Sequence, residues 1–161
     1  MTETFLAELY SRPGFLLKRC HQVAMALFTE ECKKFNLTPS QYGTLGAIHA
    51  FPGIDQVALG RIVGMDRTTT SLVIKLLSER DAIIRTANPR DKRRVSLRLT
   101  EDGARLLIAA APAVARTHQR VLSSLPAALR GPFVGMLQAF LDGHQAAIDA
   151  DKALGASNPE Q

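Results

Sequence analysis

The chain has 161 residues, 46% of them hydrophobic, and carries a net charge of +5 from 20 Lys and Arg against 15 Asp and Glu. This length and apolar content suit one folded domain with extensions and argue against a disordered chain. No apolar run approaches the roughly 18 residues of a membrane span, and the acidic N-terminus, with Glu3 and Glu8, lacks the build of a signal peptide, so we expect a cytoplasmic protein without membrane association.

The first predicted element is a long helix over residues 12–35. Its apolar residues, such as Phe15 and Leu27, recur at spacings of three and four, which is typical of an amphipathic helix. Both cysteines of the chain, Cys20 and Cys32, lie on this helix. They are too few for a disulfide framework and lack the Cys/His spacing of a zinc site. We therefore predict structural thiols in a reducing compartment, with no metal and no cofactor.

A capping box marks the start of a second predicted helix. Gln41 follows Thr38 by three residues, and Pro39 occupies the first helical position, a combination typical of helix N-termini. The helix is expected to run to about Ala50, where a Phe-Pro-Gly sequence ends it.

Two further helices with a tight turn between them predict a helix-turn-helix. Asp55 can cap a short third helix, residues 56–63. Asp66 can cap a fourth helix, residues 67–80. Between these helices Gly64 supplies the permissive backbone that a tight turn requires.

The fourth helix carries a polar side that suits the major groove of DNA. Its inner side is predicted to hold Thr70, Val73, Leu76 and Leu77. Its outer side carries hydroxyl and basic groups, namely Arg67, Thr68, Thr69, Ser71 and Lys75. Such groups hydrogen-bond base edges and phosphates.

A basic hairpin is predicted next, over residues 83–100, which read IIRTANPRDKRRVSLRLT. Two alternating runs flank a charged turn at residues 88–94. The window 61–98 holds ten Lys and Arg against four Asp and Glu, a net +6, whereas the remainder of the chain sums to −1. Neutralisation of phosphates supplies most sequence-independent affinity for nucleic acid, so this window predicts DNA contact. The alternative interpretation is a solvated charged surface.

Two helices complete the chain. Thr100 can cap a fifth helix that runs to about Leu122, and Pro126 starts a sixth. The sixth carries an apolar stripe of Phe133, Met136, Leu137, Phe140 and Leu141. By itself such a stripe more often belongs to a buried core than to an interface between chains.

These elements and their order resemble the MarR family of bacterial winged helix-turn-helix repressors over nearly the full chain. The segments 37–42 and 59–69 resemble the opening of the second helix and the helix-turn-helix of that family. The most specific match is Asp91-Lys92-Arg93 followed by residues 97–103, which resembles the wing tip and the next helix without a gap.

The sequence also departs from the family pattern at four positions. Asp81 replaces the glycine that usually follows the recognition helix, and it can still adopt a left-handed conformation. Gly60 stands where alanine is usual. Leu72 and Leu76 stand where polar or basic residues are common. These departures concern the outward side of the recognition helix, and hence the operator sequence, more than the fold.

The resemblance implies a mainly α fold with a small β wing, a winged helix-turn-helix whose N- and C-terminal helices form a dimerisation region. Residues 1–36 and 104–148 would form that region, residues 37–103 the DNA-binding lobe, and residues 149–161 a flexible tail. The protein would be a homodimer whose first, fifth and sixth helices interlock. Its two recognition helices would enter successive major grooves of a pseudo-palindromic operator in double-stranded DNA.

The resemblance also implies roles for single residues at the DNA. Arg67, Thr68, Thr69 and Ser71 would read bases, and Lys75 would contact a phosphate. Arg93 at the wing tip would enter the minor groove, and Asp91 would hold either that arginine or the hairpin in shape. The remaining basic residues of the tip would contact the backbone or be solvated: Arg90, Lys92 and Arg94.

The start of the first helix resembles family members that sense aromatic acids. A carboxylate removed from water needs a charge-assisted partner, so Arg12 or Arg19 is the candidate clamp of a small aromatic carboxylate or phenolic effector. In that family the effector commonly binds in a cleft between the dimerisation region and the DNA-binding lobe. The other candidate contacts there are His21 and Tyr42 for a ring hydroxyl, Phe15 and Leu16 as apolar walls, and His49 in the lining of the cleft. For each histidine a purely structural role is the alternative.

Three other functions are compatible with the sequence. Cys20, beside basic residues, could be a redox-sensing thiol, although the chain has no cysteine beyond residue 32 to resolve a sulfenic acid. A basic winged domain could also be a non-specific architectural DNA binder or a protein-interaction module. An enzyme is not expected, because the sequence has no phosphate-binding loop, no HExxH and no nucleophile elbow.

Overall fold

The computed structural model describes the backbone of residues 2–88 and 91–155 and the side chains of residues 5–87 and 95–144. Within these residues the chain is mostly helical, with one three-stranded antiparallel sheet. This architecture confirms the predicted winged helix-turn-helix class. The chain forms two compact units, residues 1–121 and 122–161.

The elements in chain order are α1 (Thr2–Ser11), α2 (Pro13–Glu31), a 3₁₀ turn (Lys33–Phe35), α3 (Pro39–Ala50), β1 (Ile54–Asp55), α4 (Gln56–Val63), α5 (Arg67–Glu79), β2 (Ile83–Asn88), β3 (Asp91–Leu99), α6 (Glu101–Ser123) and α7 (Ala127–Gly155).

The N-terminal helices differ from the prediction of one helix over residues 12–35. α1 precedes it and was not predicted, and Pro13 occupies the first turn of α2, where its missing N–H is no loss. The α-helical geometry ends at Glu31, and the chain then tightens into the 3₁₀ turn. Asn36 closes that turn with a left-handed φ of 49°, a conformation that asparagine tolerates better than most residues.

The predicted caps are confirmed along the DNA-binding lobe. In the capping box at α3, the Gln41 N–H donates to Thr38 Oγ1 over 3.2 Å, and the Thr38 N–H donates to Gln41 Oε1 over 3.0 Å. Asp55 accepts from the N–H of Ala58 over 2.8 Å at the start of α4. These bonds satisfy backbone donors that a helix cannot satisfy internally, so the sequence itself sets where both helices begin.

The sheet has the order β1-β3-β2, with β3 in the centre. The hairpin β2–β3 is confirmed, with Ile83 opposite Leu99 at its base. β1 was not predicted, because two residues are too short to show an alternating pattern. It forms where Ile54 pairs with Leu97, on the side of β3 that β2 leaves open.

The core of the first unit joins α2 and α6 to the DNA-binding lobe. Its largest fully buried apolar side chains come from α3, α4, α5 and β3, namely Leu45, Ile48, Leu59, Ile74, Leu77 and Leu97. Phe28 and Cys32 reach this core from the end of α2, and Leu107 and Val114 reach it from α6. Burial of this kind is the main source of folding free energy.

An ion-pair network also links α2 to α6. Arg116 Nε donates to Glu31 Oε2 over 2.8 Å, while Arg120 donates to Glu31 Oε1 over 2.9 Å and to Glu30 Oε2 over 3.0 Å. The hydrogen bond from Arg116, and then that from Arg120, hold the pKa of the Glu31 carboxyl below its ordinary value of about 4.5. The carboxylate therefore stabilises the folded state more when it is charged.

We expect Glu31→Gln to lower the Tm at neutral pH and to reduce the loss of stability on acidification. Because the folded-state pKa is lowered, the contribution is present above about pH 4.5 and is lost as the pH falls through the lowered value. Thermal unfolding at several pH values between 3 and 7 measures it. The matched control is Glu8→Gln, whose exposed ion pair with Arg12 should add little. Parallel Tm profiles for wild type and Glu31→Gln would contradict the expectation.

α7 presents much of its predicted stripe to solvent. Met136, Leu137, Phe140 and Leu141 are all exposed, and Phe133 is partly exposed. The helix continues to Gly155, into the segment predicted as a flexible tail, because alanine recurs there and has the highest helix propensity. Residues 156–161 lie outside the described part of the chain. In the described part, no helix has the length and apolar character needed to span a bilayer.

Candidate nucleic-acid interface

α4 and α5 form the predicted helix-turn-helix. Gly64 ends α4 with a left-handed φ of 69°, and Met65 N–H donates to the carbonyl of Gly60 over 2.9 Å. Gly60 also lets the two helices approach closely: a Cβ there would lie 2.9 Å from Thr70 Oγ1. The departure from the usual alanine at position 60 thus has a packing explanation.

The N-terminus of α5 is fixed by Asp66. One carboxylate oxygen accepts from the N–H of Thr69 over 2.7 Å, and the other accepts from the Thr69 hydroxyl over 3.0 Å. The predicted cap is confirmed. Because the Thr69 hydroxyl donates to its own helix cap, it can offer DNA only its acceptor lone pairs.

The buried side of α5 differs from the prediction by one residue. Thr70, Val73, Ile74 and Leu77 are buried. Ile74 takes the place predicted for Leu76, which is 39% exposed. At 100° per residue, positions 70, 73, 74 and 77 lie on one side of a helix and position 76 lies beside it.

The predicted outer side of α5 is exposed in full, comprising Arg67, Thr68, Thr69, Ser71 and Lys75. Lys75 lies 3.8 Å from Glu79 in an exposed pair, which is a weak interaction. The side opposite the core thus offers hydroxyl and cationic groups along the first two turns, where a recognition helix contacts base edges.

Gln56 also belongs to this surface, although no sequence pattern indicates it. Its Nε2 donates to Ser71 Oγ over 2.6 Å across the helix-turn-helix. This bond uses an acceptor site of the hydroxyl, so Ser71 keeps its own hydrogen for donation to another acceptor. The two residues are 15 positions apart, and only the packing of α4 on α5 brings them together.

The C-terminus of α5 is anchored at two places. Arg80 donates to the carbonyls of Asn36 over 2.6 Å and Phe35 over 2.9 Å, which ties α5 to the turn after α2. Asp81 follows with a φ of 53°, so it adopts the left-handed conformation expected in place of glycine. The chain can then turn sharply from the recognition helix into the hairpin.

The base of the wing is joined to α6 through Thr100. Its hydroxyl donates to the carbonyl of Asp81 over 2.5 Å and accepts from the N–H of Gly103 over 2.9 Å, so it caps α6 as predicted. Its own N–H donates to the carbonyl of Ala82 over 3.1 Å. One residue therefore connects the hairpin, the end of the recognition helix and the start of α6.

The wing extends from this base as a basic hairpin. Arg85 lies opposite Leu97, and Arg98 lies opposite Ile84, and both arginines are exposed. Of the predicted tip residues, the side chains of Arg90, Asp91, Lys92, Arg93 and Arg94 lie outside the described residues. Their predicted contacts with DNA therefore stay predictions.

The predicted effector residues are spread over α2 and α3. Arg12, Leu16, Arg19, His21 and His49 are exposed, whereas Phe15 and Tyr42 are partly buried. Arg12 pairs with Glu8 over 3.2 Å, and Arg19 donates to Gln22 over 3.0 Å. Both guanidinium groups thus make exposed contacts within the helical N-terminus.

Aromatic contacts and one cleft organise some of these residues. Phe15 packs edge-on against Tyr10 with ring centroids 5.2 Å apart, and Tyr42 lies 6.4 Å from the ring of Phe28. His49 lines an open cleft of about 310 Å³ at the junction of α3, β3 and α6, in which Arg98 is the other basic residue. His49 and Arg98 are 49 positions apart in the chain, so no sequence pattern connects them.

Comparisons with known proteins agree on the family. A profile described as MarR family matches residues 35–94. A protein of Thauera aromatica, provisionally named as the transcriptional regulatory protein for the hcr operon, is 33% identical over 126 residues, which cover 78% of this chain and 76% of that protein.

Two solved structures share the fold. BpsR of Bordetella bronchiseptica, whose DNA binding is regulated by 6-hydroxynicotinic acid, is 27% identical with a TM-score of 0.78, and the match covers 82% of this chain and 94% of that one. The transcriptional repressor CouR, solved bound to a 23-mer DNA duplex, is 29% identical with a TM-score of 0.77, and the match covers 83% and 94% of the two chains.

Proposed function

This chain belongs to the MarR family of transcriptional regulators, and from that premise we propose that it is a repressor released from its operator by a small aromatic carboxylate or phenol. The operator would be a pseudo-palindrome bound by a homodimer. The relatives named above are regulators rather than enzymes, which supports a function in binding rather than catalysis.

The observation that carries the proposal is the two-sided α5. One side of the helix is buried in the core, and the other side exposes hydroxyl and cationic groups. The basic hairpin follows α5 directly in the chain. A helix held rigidly in this way can enter a major groove without losing its own packing. The repressor CouR, which shares this fold, binds a DNA duplex.

The homodimer is supported by exposed apolar side chains at the two ends of the chain. Phe5, Leu6 and Tyr10 on α1 are 47–60% exposed, and Met136 and Leu141 on α7 are 64% and 57% exposed. On each helix, large exposed apolar groups of this kind indicate a surface that another protein covers. A second copy of the chain would cover them and would set the spacing of the two recognition helices.

The effector class is supported by the relative BpsR and by the chemistry of α2. BpsR responds to a heteroaromatic acid. On α2 a guanidinium at Arg12 or Arg19 can bind a carboxylate through two parallel hydrogen bonds. Tyr42, the candidate partner of a ring hydroxyl, lies beside Phe28 of α2, with ring centroids 6.4 Å apart. Release would follow if the ligand favours a lobe spacing that DNA does not accept.

We expect the purified protein to select a pseudo-palindromic duplex from random DNA and to bind it in excess competitor. Affinity measured by fluorescence anisotropy at two salt concentrations would separate specific binding from architectural binding. A specific site should be preferred over random duplex by about 10³-fold or more at either salt concentration. Affinity that depends on salt alone would contradict the proposal and favour the architectural binder.

The effector arm uses a panel of benzoates, hydroxynicotinates and phenylpropenoates, with cyclohexanecarboxylate as the non-aromatic control. A true effector should release the operator and raise stability by about 2.7 kcal/mol at 100 times its Kd. The matched variants Arg12→Gln and Arg19→Gln identify the clamp, because only one should lose the response. A response of both variants equal to that of wild type would overturn the arginine clamp.

The redox alternative is tested with the same assay. Cys20 is exposed, whereas Cys32 is buried and burial raises the pKa of its thiol, which disfavours a reactive thiolate at Cys32. We expect Cys20→Ser to keep its release by the aromatic effector. Release of wild type by hydroperoxide, abolished in Cys20→Ser, would favour the redox sensor instead.

A further inference from the structure

The outward side of α5 has an apolar residue at its centre. The buried residues of the helix are Thr70, Val73, Ile74 and Leu77. At 100° per residue, Leu72 lies roughly half a turn from the middle of that buried side. Its side chain is 54% exposed, although leucine is among the residues most often buried. Leu72 is therefore the most exposed large apolar residue of α5, and it lies where the helix would contact a partner.

The neighbours of Leu72 on this side are polar. Thr68 precedes it by one turn and Lys75 follows it by three residues, so both lie on the same side of the helix. Leu76, one turn later, is less exposed at 39% and lies towards the edge of the core. Leu72 also lies about 6 Å nearer the N-terminus of the helix than Leu76 does. The N-terminal part is where a recognition helix contacts base edges.

A major groove offers one prominent apolar group, the 5-methyl group of thymine. The other positions that bases present there are hydrogen-bond donors and acceptors, which a leucine would desolvate without replacing their bonds. A leucine at the centre of the DNA-facing side therefore fits a thymine and disfavours the other three bases. The Thr68 hydroxyl, on the same side, can donate to the O4 atom beside that methyl group.

We propose that Leu72 is a specificity-determining residue that recognises the 5-methyl group of one thymine in each operator half-site. The inference rests on the proposed operator binding, and it adds the base that this chain reads and the residue that reads it. It also gives a role to a leucine at a position where the family commonly has a polar or basic residue.

The test replaces each thymine of the selected operator by deoxyuridine, which removes only the methyl group. In wild type we expect one symmetrical pair of thymines at which the replacement weakens binding by about fourfold per half-site, the ratio expected for burial of one methyl-sized group. Replacing both members of the pair should weaken binding by about fifteenfold. Thymines elsewhere should tolerate the replacement.

Two matched variants assign the effect to the residue. Leu72→Ala should bind the thymine operator more weakly than wild type does. The variant should bind the thymine and deoxyuridine operators with equal affinity, because no leucine remains to contact the methyl group. Leu76→Ala removes the same atoms from the next turn and should keep the fourfold preference. Circular dichroism and thermal unfolding check that both variants fold, which the exposure of Leu72 favours.

Three results would overturn the inference. Specific operator binding by wild type with no deoxyuridine penalty at any position refutes it and leaves the proposed function standing. A penalty that persists in Leu72→Ala assigns the methyl contact to another residue. Failure to select any operator refutes the proposed function and this inference with it.

Discussion

Replacing Gly103 by alanine is expected to destabilise the protein by about 3 kcal/mol, because a rigid neighbour leaves no room for one methyl group. A Cβ on residue 103 would lie 1.8 Å from the carbonyl oxygen of Ala82. That oxygen accepts from the N–H of Thr100, and the N–H of Ala82 donates to Leu77 over 3.0 Å. Ala82 therefore cannot move away without breaking the junction of α5, the wing and α6.

Urea denaturation of wild type and variant measures the effect. The matched control is Gly43→Ala on an exposed part of α3, where a Cβ would meet nothing within 4 Å. That control should gain about 0.5–1 kcal/mol, because alanine favours the helix and restricts the unfolded chain. Equal midpoints for wild type and Gly103→Ala would show that the two segments separate easily, contrary to the packing described.

Arg93→Ala is expected to weaken operator binding by about 1–3 kcal/mol, which is the usual cost of losing one good specific contact. Arg93 lies on β3 two residues after Asp91, which pairs with Asn88 at the end of the hairpin. A guanidinium at this end of the wing can enter a narrow A·T-rich minor groove, where the negative potential is concentrated. The variant should also lose its preference for A·T over G·C pairs at the flank of each half-site.

Arg90→Ala is the control for this prediction, since it removes the same charge from the same tip. A phosphate contact there should weaken binding to all sequences about equally and should lower the slope of log affinity against log salt by about one. Wild-type affinity of Arg93→Ala at physiological salt would exclude the wing-tip contact. Equal sequence preference in both variants would reduce Arg93 to a phosphate contact.

The base of the wing and the buried side of α5 show where prediction from sequence worked and where it did not. Asp81 was expected to replace a glycine in the left-handed region, and it does so with a φ of 53°. The face of α5 was expected to bury Leu76, yet Ile74 is buried instead. Position 76 follows Val73 by three residues and position 74 precedes Leu77 by three, so both spacings occur in an amphipathic helix. The packing of α5 against α3, α4 and β2 buries Ile74.

The local features of this fold follow from short-range sequence patterns. Four helices begin at a side chain that accepts a hydrogen bond from a backbone N–H three residues later: Thr38, Asp55, Asp66 and Thr100. The start of each of these helices therefore depends on residues that are close in sequence. The left-handed turn at Gly64 and the alternating pattern of the hairpin also depend only on neighbouring residues. The positive charge of the window 61–98 follows from its residue types alone.

The contacts between distant segments depend instead on how the helices and the sheet pack together. The hydrogen bond from Gln56 to Ser71, the tether of Arg80 to Asn36, the pairing of β1 with β3 and the contact of Gly103 with Ala82 join residues that no sequence period connects. Such contacts form because burying the shared core brings the segments together, and the polar groups then pair where packing leaves them.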